Sequence, residues 1–320
     1  MSNDTKLKKA ATIALKDYLG VEPEESLLVL ADENMREIGM ALYESGLKMA
    51  NEVFYLEMKE REFNGQEPPE AVAKIMRELD VIVCPTSKSL THTEARRRAS
   101  DLNIRVGTMP GITIDTMLRC FSGDYKRMVE LSNQIAELLA DTTEIHLETD
   151  LGTEITLPVQ NRKIIASTGI LRKIGESGNM PSGEVYFAPV EGKSNGTVVF
   201  DGSFAQIGLL EYPIMVEVVD GYAKRISGKT EARLLSKLLN KVGEEARQVA
   251  EFGIGTNNKA QLCGNILEDE KVLGTVHIAF GNNISMGGKI DVPIHLDGII
   301  LNPTVFLDDE KIMEAGKLLI

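Results

Sequence analysis

Short apolar runs alternate with amphipathic helical patterns along the first part of the chain. The helical patterns lie at roughly 34–50, 68–78 and 91–101, and the apolar runs are SLLVLAD at 26–32, EVFYLEM at 52–58, DVIVCPT at 80–86 and NIRVGTM at 103–109. Nearly continuous apolar strands that alternate with helices are typical of a parallel sheet with helices on both faces. The pattern predicts an N-terminal open parallel α/β domain. Because ENMREIG follows the first run instead of a glycine-rich turn, no dinucleotide cofactor is expected.

The pattern changes after a predicted long helix at about 124–140. Segments such as KIIAST, GEVYFAPV, GTVVFDG, TVHIAFG and VPIHLDGIILN alternate with period two and end in glycine or asparagine turns. One strong helical pattern intervenes, ARLLSKLLNKVGEEARQVAEF at 232–252. These features predict a C-terminal α+β domain with a mostly antiparallel sheet or partial barrel. We place the boundary near residue 142, which gives domains 1–142 and 143–320.

Composition and charge narrow the class of protein. The formal net charge is -13, which disfavours nucleic acid as a partner because nucleic-acid binding needs a basic surface. No apolar run approaches the roughly 18 residues that span a bilayer, so no membrane partner is expected. The polar N-terminal segment lacks the features of a secretory signal, which predicts a cytoplasmic location. The 3 cysteines are widely spaced and odd in number, so we expect reduced thiols in the core.

His295 and Asp297 interrupt the apolar run VPIHLDGIIL at 292–301. Residues two apart in a strand point to the same face, so the imidazole and the carboxylate are expected to lie together. A buried carboxylate is costly unless it is neutralised. For these two residues alone, an ion pair or hydrogen bonds with the following turn is a sufficient interpretation.

Three further polar residues make a metal site the stronger interpretation. His277 stands alone in the apolar run GTVHIAFG, Glu184 lies in GEVYFAPV, and Glu251 opens EFGIGTN after the long helical pattern. Spacing alone does not single out the two glutamates. Three carboxylates with two imidazoles form a set that divalent cations accept. Of the remaining histidines, His146 is predicted to be a surface strand residue, and His92 is a weaker candidate for a substrate-side residue.

The same residues carry a resemblance to a known family. The motifs GNMPSGEVYFAPVEGKSNGTVVFDG (178–202), EFGIGTN (251–257), ILEDEKVLGTVHIAFGNN (266–283) and IHLDG (294–298) resemble those of the M29 metalloaminopeptidases, typified by aminopeptidases T and S. The resemblance covers the C-terminal half specifically and the N-terminal half only in general architecture.

The resemblance implies a metal-dependent hydrolase, a leucyl-aminopeptidase-like metalloprotease that removes N-terminal residues from short peptides. It implies two divalent metal ions (Zn, Co or Mn) that activate a water, in an active site enclosed within a homodimer. The implied ligands, one acidic residue among them bridging the metals, are Glu184, Glu251, His277, His295 and Asp297.

One departure from the family pattern keeps other functions open. The peptidases carry a tyrosine shortly after the equivalent of His277, where it hydrogen-bonds the oxyanion, but this chain reads GNNISMGGK there. Loss of one such donor typically costs about 10²–10³ in rate. Asn282 or Asn283 is a candidate substitute donor, and the catalytic residue is left unassigned.

Two alternatives follow. His277, His295 and Asp297 match the two-histidine, one-carboxylate composition of non-haem iron oxygenases, and the superfamily also resembles a pyridine-ring-cleaving dioxygenase. Glu184 and Glu251 would then be surplus charges. The second alternative is a protein that binds metal or peptide without turnover.

Overall fold

The computed structural model describes residues 3–121 and 125–320 of the chain. The fold is mixed α/β, with one parallel sheet and two further sheets built mainly from antiparallel pairs, as the sequence predicts. The described residues form two compact units, one that extends to Lys126 and includes Ser167–Ser182, and one that contains Arg127–Ala166 and Gly183–Ile320. The domain division expected at residue 142 stays a prediction. Within the described ranges, every helix is too short or too polar to cross a bilayer.

Eight α-helices, together with short 3-10 and π turns, connect the strands. The α-helices are α1 (Asn3–Ile13), α2 (Arg36–Gly46), α3 (Glu70–Ile75), α4 (Glu94–Asp101), α5 (Ile114–Cys120), α6 (Lys126–Ala140), α7 (Thr230–Val242) and α8 (Ile266–Asp269). The predicted helix at 124–140 corresponds to α6, and residue 124 lies outside the described residues.

The described residues contain twenty strands. They are β1 (Ser26–Asp32), β2 (Glu52–Met58), β3 (Val81–Thr86), β4 (Arg105–Pro110), β5 (Glu144–Glu148), β6 (Glu154–Pro158), β7 (Ile165–Ser167), β8 (Ser177–Asn179), β9 (Glu184–Phe187), β10 (Asn195–Phe200), β11 (Ser203–Phe204), β12 (Gly208–Leu209), β13 (Ile214–Val219), β14 (Tyr222–Ser227), β15 (Val249–Gly255), β16 (Val276–Gly281), β17 (His295–Ile300), β18 (Thr304–Leu307), β19 (Glu310–Glu314) and β20 (Lys317–Leu318).

The first unit is built on a parallel sheet with the strand order β2-β1-β3-β4-β8. Its central strands β1 and β3 are buried almost throughout, which explains why their sequences are nearly continuous apolar runs. All four predicted strands of the first part are present. The fifth strand, β8, has the sequence SGN and no apolar signal, and the sequence did not predict it.

The second unit encloses one apolar core between two sheets. The eight-stranded sheet has the order β14-β13-β10-β6-β5-β18-β19-β20, and the seven-stranded sheet has the order β12-β11-β17-β16-β15-β9-β7. Helices α6 and α7 add Ile135, Leu139, Leu235 and Leu239 to this core. The seven-stranded sheet turns one face to the core, which leaves its other face available for polar residues.

The long helical pattern at 232–252 is shorter in the structure than expected. Helix α7 ends at Val242 because Gly243 takes a φ of 125°, a conformation that favours glycine. The chain then enters β15, so Glu251 lies inside a strand and not in a turn that follows a helix. The sequence-based placement of Glu251 is therefore corrected.

Candidate metal centre

The two faces of the seven-stranded sheet differ sharply in chemistry. On β9, β15, β16 and β17, one set of alternate residues joins the apolar core, and it includes Phe187, Phe252, Ile278, Phe280 and Leu296. The opposite set contains the five predicted ligands, Glu184, Glu251, His277, His295 and Asp297. We call this second surface the polar face. Residues from four neighbouring strands therefore meet on one side of one sheet.

Strand register sets the positions of these residues relative to one another. Ala279 pairs with both Glu251 and Asp297, so the two carboxylates flank a small residue in one row across the sheet. Gly253 pairs with both Tyr186 and His277, which forms the neighbouring row. The polar face thus consists of ordered rows and not of a chance cluster.

A β-bulge directs Glu251 to the polar face. Val249 pairs with Phe280, whereas Glu251 pairs with Ala279, and the register shifts between them. Val249 packs in the core, and without the shift Glu251, two residues further along, would point there too. Bulges often redirect a side chain next to a functional site.

Gly253 makes room for the His277 ring. A β-carbon at Gly253 would lie 2.2 Å from His277 Nε2. The ring therefore lies over the glycine, where Nε2 is 3.2 Å from Glu251 Oε1 and 3.7 Å from Glu184 Oε2. The absence of a side chain at position 253 is what allows this imidazole to reach both carboxylates.

The five side chains form two groups that share Glu251. Ligand atoms of Glu184, Glu251 and His277 lie within 4.8 Å of one another, and so do those of Glu251, His295 and Asp297. In the second group, His295 Nε2 is 3.1 Å from Glu251 Oε2 and 3.2 Å from Asp297 Oδ1. The structure thus brings together all five residues that the sequence singled out. Their role as metal ligands stays a prediction.

Charge at the centre is balanced by the imidazoles. Burial by itself would raise the pKa of Glu251, but hydrogen bonds from His277 and His295 outweigh it and lower the pKa to about 2. Burial would likewise lower the pKa of His277, but Glu251 raises it to about 9, and the pKa of His295 is raised well above its usual value by Asp297 and Glu251. The protons on the His277 and His295 rings thus lie between the groups that would bind a cation, and a cation that binds there must displace these protons.

The two histidines differ in what holds the second ring nitrogen. His295 Nδ1 lies 2.7 Å from the backbone carbonyl of Asn282, and a hydrogen bond to that oxygen directs Nε2 toward the carboxylates. His277 Nδ1 is buried and has no partner within the described ranges. The His295 side chain is 30% exposed, whereas the His277 side chain is fully buried. The centre is therefore approached from the His295 side.

A buried lysine stands behind the carboxylates. Lys271 is 1% exposed, its Nζ lies 3.1 Å from Glu184 Oε1, and it also contacts Glu270. Burial raises the pKa of Glu270 to about 8 against the opposing charge of Lys271. The lysine therefore compensates Glu270 and shares the compensation of Glu184 with His277.

Sequence reasoning missed Lys271, Glu270 and Tyr186. The first two lie in ILEDEKVLG, which resembles an ordinary exposed charged turn, and nothing in its pattern indicates burial. Tyr186 follows Glu184 by two positions, so the period-two rule places it on the polar face and would have found it. Burial, followed by the charges of Glu251 and Glu184, raises the pKa of the Tyr186 hydroxyl well above its usual value.

The other histidines lie outside the centre. His146 is on β5 and partly exposed, with Nε2 3.7 Å from Glu148 Oε2, in agreement with the predicted surface strand residue. His92 is exposed just before α4 in the first unit, where its carbonyl accepts a hydrogen bond from Arg97. A substrate-side role for His92 stays a prediction.

Known proteins resemble the chain along most of its length. The model of the family described as 2,5-dihydroxypyridine 5,6-dioxygenase matches residues 14–320. A 2,5-dihydroxypyridine 5,6-dioxygenase of Pseudomonas putida KT2440 is 25% identical over 192 residues, which cover 56% of this chain and 55% of that protein. The aligned part is thus only about half of that relative's length.

Two solved structures share the fold. The structure of a 2,5-dihydroxypyridine dioxygenase from Pseudomonas putida KT2440 matches with a TM-score of 0.86 at 20% identity, covering 100% of this chain and 98% of that one. Wild-type AmpT from Thermus thermophilus, an M29 aminopeptidase, matches with a TM-score of 0.70 at 17% identity, covering 100% of both chains. The expected fold is therefore correct, whereas membership of the M29 family is not confirmed.

The expected hydrolase activity and short-peptide substrate are wrong. The family model and the sequence relative carry a dioxygenase description, whereas the peptidase is similar in fold alone. The motifs that carry the peptidase resemblance build the sheet and its polar face, and they say little about what binds above it. The absent tyrosine is the feature that argued against a peptidase. Its place is taken by the segment NISMGGKIDVP, which ends two residues before His295.

Proposed function

Because the chain belongs to the 2,5-dihydroxypyridine 5,6-dioxygenase family, we propose that it is a metal-dependent dioxygenase that opens the ring of a dihydroxypyridine. Both atoms of one O₂ enter the product as the bond between C5 and C6 breaks, so the reaction needs no external reductant. The substrate is then a small aromatic ring, and the centre is expected to admit it from the exposed His295 side.

One observation carries the proposal beyond family membership. The Nε2 atoms of His277 and His295 lie 3.2 Å and 3.1 Å from the two oxygens of the Glu251 carboxylate, and Asp297 lies beside His295. Two imidazoles and a carboxylate are the donor set of non-haem iron(II) oxygenases. The residue types of His277, His295 and Asp297 therefore fit one iron(II) ion, and Glu251 lies between the two imidazoles.

Such an ion, when bound, supplies the one-electron chemistry that ground-state dioxygen requires. The protein's own residues orient and shield the reactants. The backbone carbonyl of Asn282 keeps the His295 ring in one orientation. Lys271 holds Glu184 in place and compensates its charge, so Glu184 need not take part in binding the ion. The apolar core beneath the sheet closes the opposite side to water.

Three finer expectations stay predictions. The group of Glu184, Glu251 and His277 leaves open the two-ion arrangement with Zn, Co or Mn that the sequence suggested. The homodimer and the cytoplasmic location rest on the sequence resemblance and on the N-terminal segment, respectively. Counting metal ions per chain separates one iron from two ions of another metal.

The test combines metal content with oxygen uptake. Protein purified without a metal-affinity tag is loaded anaerobically with iron(II), its metal is counted, and O₂ consumption is followed on addition of 2,5-dihydroxypyridine. We expect about one iron per chain, stoichiometric O₂ uptake and loss of the ring's ultraviolet absorption. His295→Ala is expected to lose iron and activity, while the surface control His146→Ala keeps both. Iron-loaded protein that leaves dihydroxypyridines intact would contradict the proposal.

A further inference from the structure

We infer that the ammonium group of Lys271 limits the metal centre to one ion, because it takes the place of a second cation beside Glu184. The inference rests on the proposed function, which supplies the metal centre, and it adds a residue that sets the number of ions. Lys271 is a positioning residue in this role, since it acts through the Glu184 carboxylate.

The two groups of candidate ligands differ in what a second ion would need. Both groups contain Glu251, so the group that lies beside Lys271 adds only Glu184 and His277. If His277 binds the iron, as the proposed function has it, Glu184 is the one new ligand left in that group. A second ion would therefore have to bind at the carboxylate that the lysine already contacts.

The two oxygens of the Glu184 carboxylate face different partners. Oε1 lies 3.1 Å from Lys271 Nζ, and Oε2 lies 3.7 Å from His277 Nε2. An ion held by Oε2 would thus be separated from the ammonium group by one carboxylate. Like charges repel strongly at such short range in a buried environment, because a protein interior screens charge far less than water does. Binding of a second ion is therefore opposed by Lys271.

Lys271 is held in this position by its main chain as well as by its side chain. Its backbone N–H donates to the Glu268 carbonyl at 3.0 Å, and its carbonyl accepts from the Asn257 N–H at 2.9 Å. The side chain is 1% exposed and contacts Glu270 in addition to Glu184. An ammonium group has donors and no acceptor, so it cannot become a metal ligand itself. The lysine thus remains a fixed positive charge beside Glu184.

The charges of the centre favour a single ion. Glu184, Glu251 and Asp297 together supply three negative charges, which one divalent ion and Lys271 balance. With Glu270 ionised as well, one negative charge remains. A second divalent ion would instead leave one or two positive charges in a buried site, where an uncompensated charge is costly. Lys271 therefore supplies the charge that a second ion would otherwise supply.

The experiment counts manganese(II) ions per chain by calorimetric titration and by elemental analysis. The proteins are wild type, Lys271→Met, Lys271→Met/Glu270→Gln, Lys271→Met/Glu184→Gln and the surface control Lys311→Met. The Glu270→Gln change removes one stranded charge while it keeps Glu184, so that variant tests the inference even if Lys271→Met does not fold. Electron paramagnetic resonance of the manganese then distinguishes a lone ion from a coupled pair, whose members lie about 3.5–4 Å apart.

We expect one ion per chain in wild type and Lys311→Met, and two ions with the spectrum of a coupled pair in Lys271→Met and Lys271→Met/Glu270→Gln. Lys271→Met/Glu184→Gln should return to one ion, because the carboxylate that the second ion needs is gone. Two ions in the wild type, or one ion in the folded variants that lack Lys271 and keep Glu184, would overturn the inference. A wild type that binds one ion but leaves dihydroxypyridines intact would instead contradict the proposed function alone.

Discussion

His295 Nδ1 lies 2.7 Å from the backbone carbonyl of Asn282, thirteen residues earlier in the chain. Asn282 opens the segment that joins β16 to β17, and His295 is the first residue of β17. The hydrogen bond thus links the two ends of one connection. Whatever fixes this connection also fixes the direction in which the His295 ring presents Nε2 to its carboxylate partners.

Asn283→Ala is expected to weaken metal binding about ten-fold, as for loss of groups that orient a ligating histidine. Asn283 is fully buried, its Nδ2 donates to Glu191 Oε1 at 3.1 Å, and its Oδ1 accepts from the Ile290 backbone at 2.8 Å. Without these bonds the connection before His295 loosens. Calorimetric titration with the metal measures the effect, and Asn240→Ala, on helix α7, serves as the control. Wild-type affinity in Asn283→Ala would show that the connection does not orient His295.

Gly253→Ala is expected to displace the His277 ring. The new methyl group would lie 2.2 Å from Nε2, so the imidazole must move away from Glu251 and Glu184. Overpacking of this kind typically costs about 1–3 kcal/mol, and we expect metal affinity to fall at least as much as in Asn283→Ala. Thermal unfolding and metal titration measure the two effects. The control is Gly178→Ala, whose nearest contact is 3.3 Å, and an unchanged metal site in Gly253→Ala would contradict this account.

Lys271→Met is expected to lower the free energy of unfolding by about 3–5 kcal/mol, the usual cost when one partner of a buried ion pair is removed. The change leaves Glu184 and Glu270 without their cation in a buried environment. Urea denaturation measures the loss. The double variant Lys271→Met/Glu184→Gln should recover part of it, because one of the two stranded charges is gone.

Lys311→Met provides the matched comparison for the buried lysine. Lys311 pairs with Glu314 at the surface, where an ion pair is worth at most about 1 kcal/mol. If Lys271→Met lowers the free energy of unfolding as little as this control does, Lys271 does not compensate the charges of Glu184 and Glu270.

We expect the thiols to react slowly, with Cys263 before Cys84, and we expect the rate at Cys263 to rise with pH. Partial burial, together with the charges of Asp269 and Glu268, raises the pKa of Cys263 to about 11, so about a thousandth of this exposed thiol is thiolate at pH 8. Its rate with a disulfide reagent should rise about ten-fold per pH unit between pH 8 and 10. Burial raises the pKa of Cys84 to about 12, and Cys84 should react only after unfolding. Rapid labelling at pH 8 that persists in Cys263→Ser would contradict this order.

The sequence predicts most of the fold because apolar periodicity follows burial. Strands β1 and β2 begin and end where their apolar runs do. His277, His295 and Asp297 stand out against apolar neighbours, whereas spacing alone does not single out the two glutamates of the centre. Cys263 departs from the expected core position because it lies in a polar turn whose backbone is held by Asp269. Short polar segments such as β8 give no signal of this kind.

Two features of the centre lie beyond sequence patterns. The bulge before Glu251 depends on one extra residue in β15, which shifts the strand pairing. The amino-acid sequence around this residue contains no local pattern that predicts the shift. The burial of Lys271 depends on which carboxylates approach it from distant parts of the chain. The activity was misassigned for a related reason. A peptidase and a dioxygenase share this fold, so the motifs that build the sheet do not separate them.

The glycines of the polar face restrict how this protein can change. At Gly255 a β-carbon would lie 2.1 Å from the Val272 carbonyl, and at Gly281, where φ is 113°, it would lie 2.3 Å from the Ile294 carbonyl. Backbone cannot yield as a flexible side chain does. We therefore expect new substrate ranges, in evolution or in the laboratory, to come from side chains around the polar face and not from substitutions at these glycines.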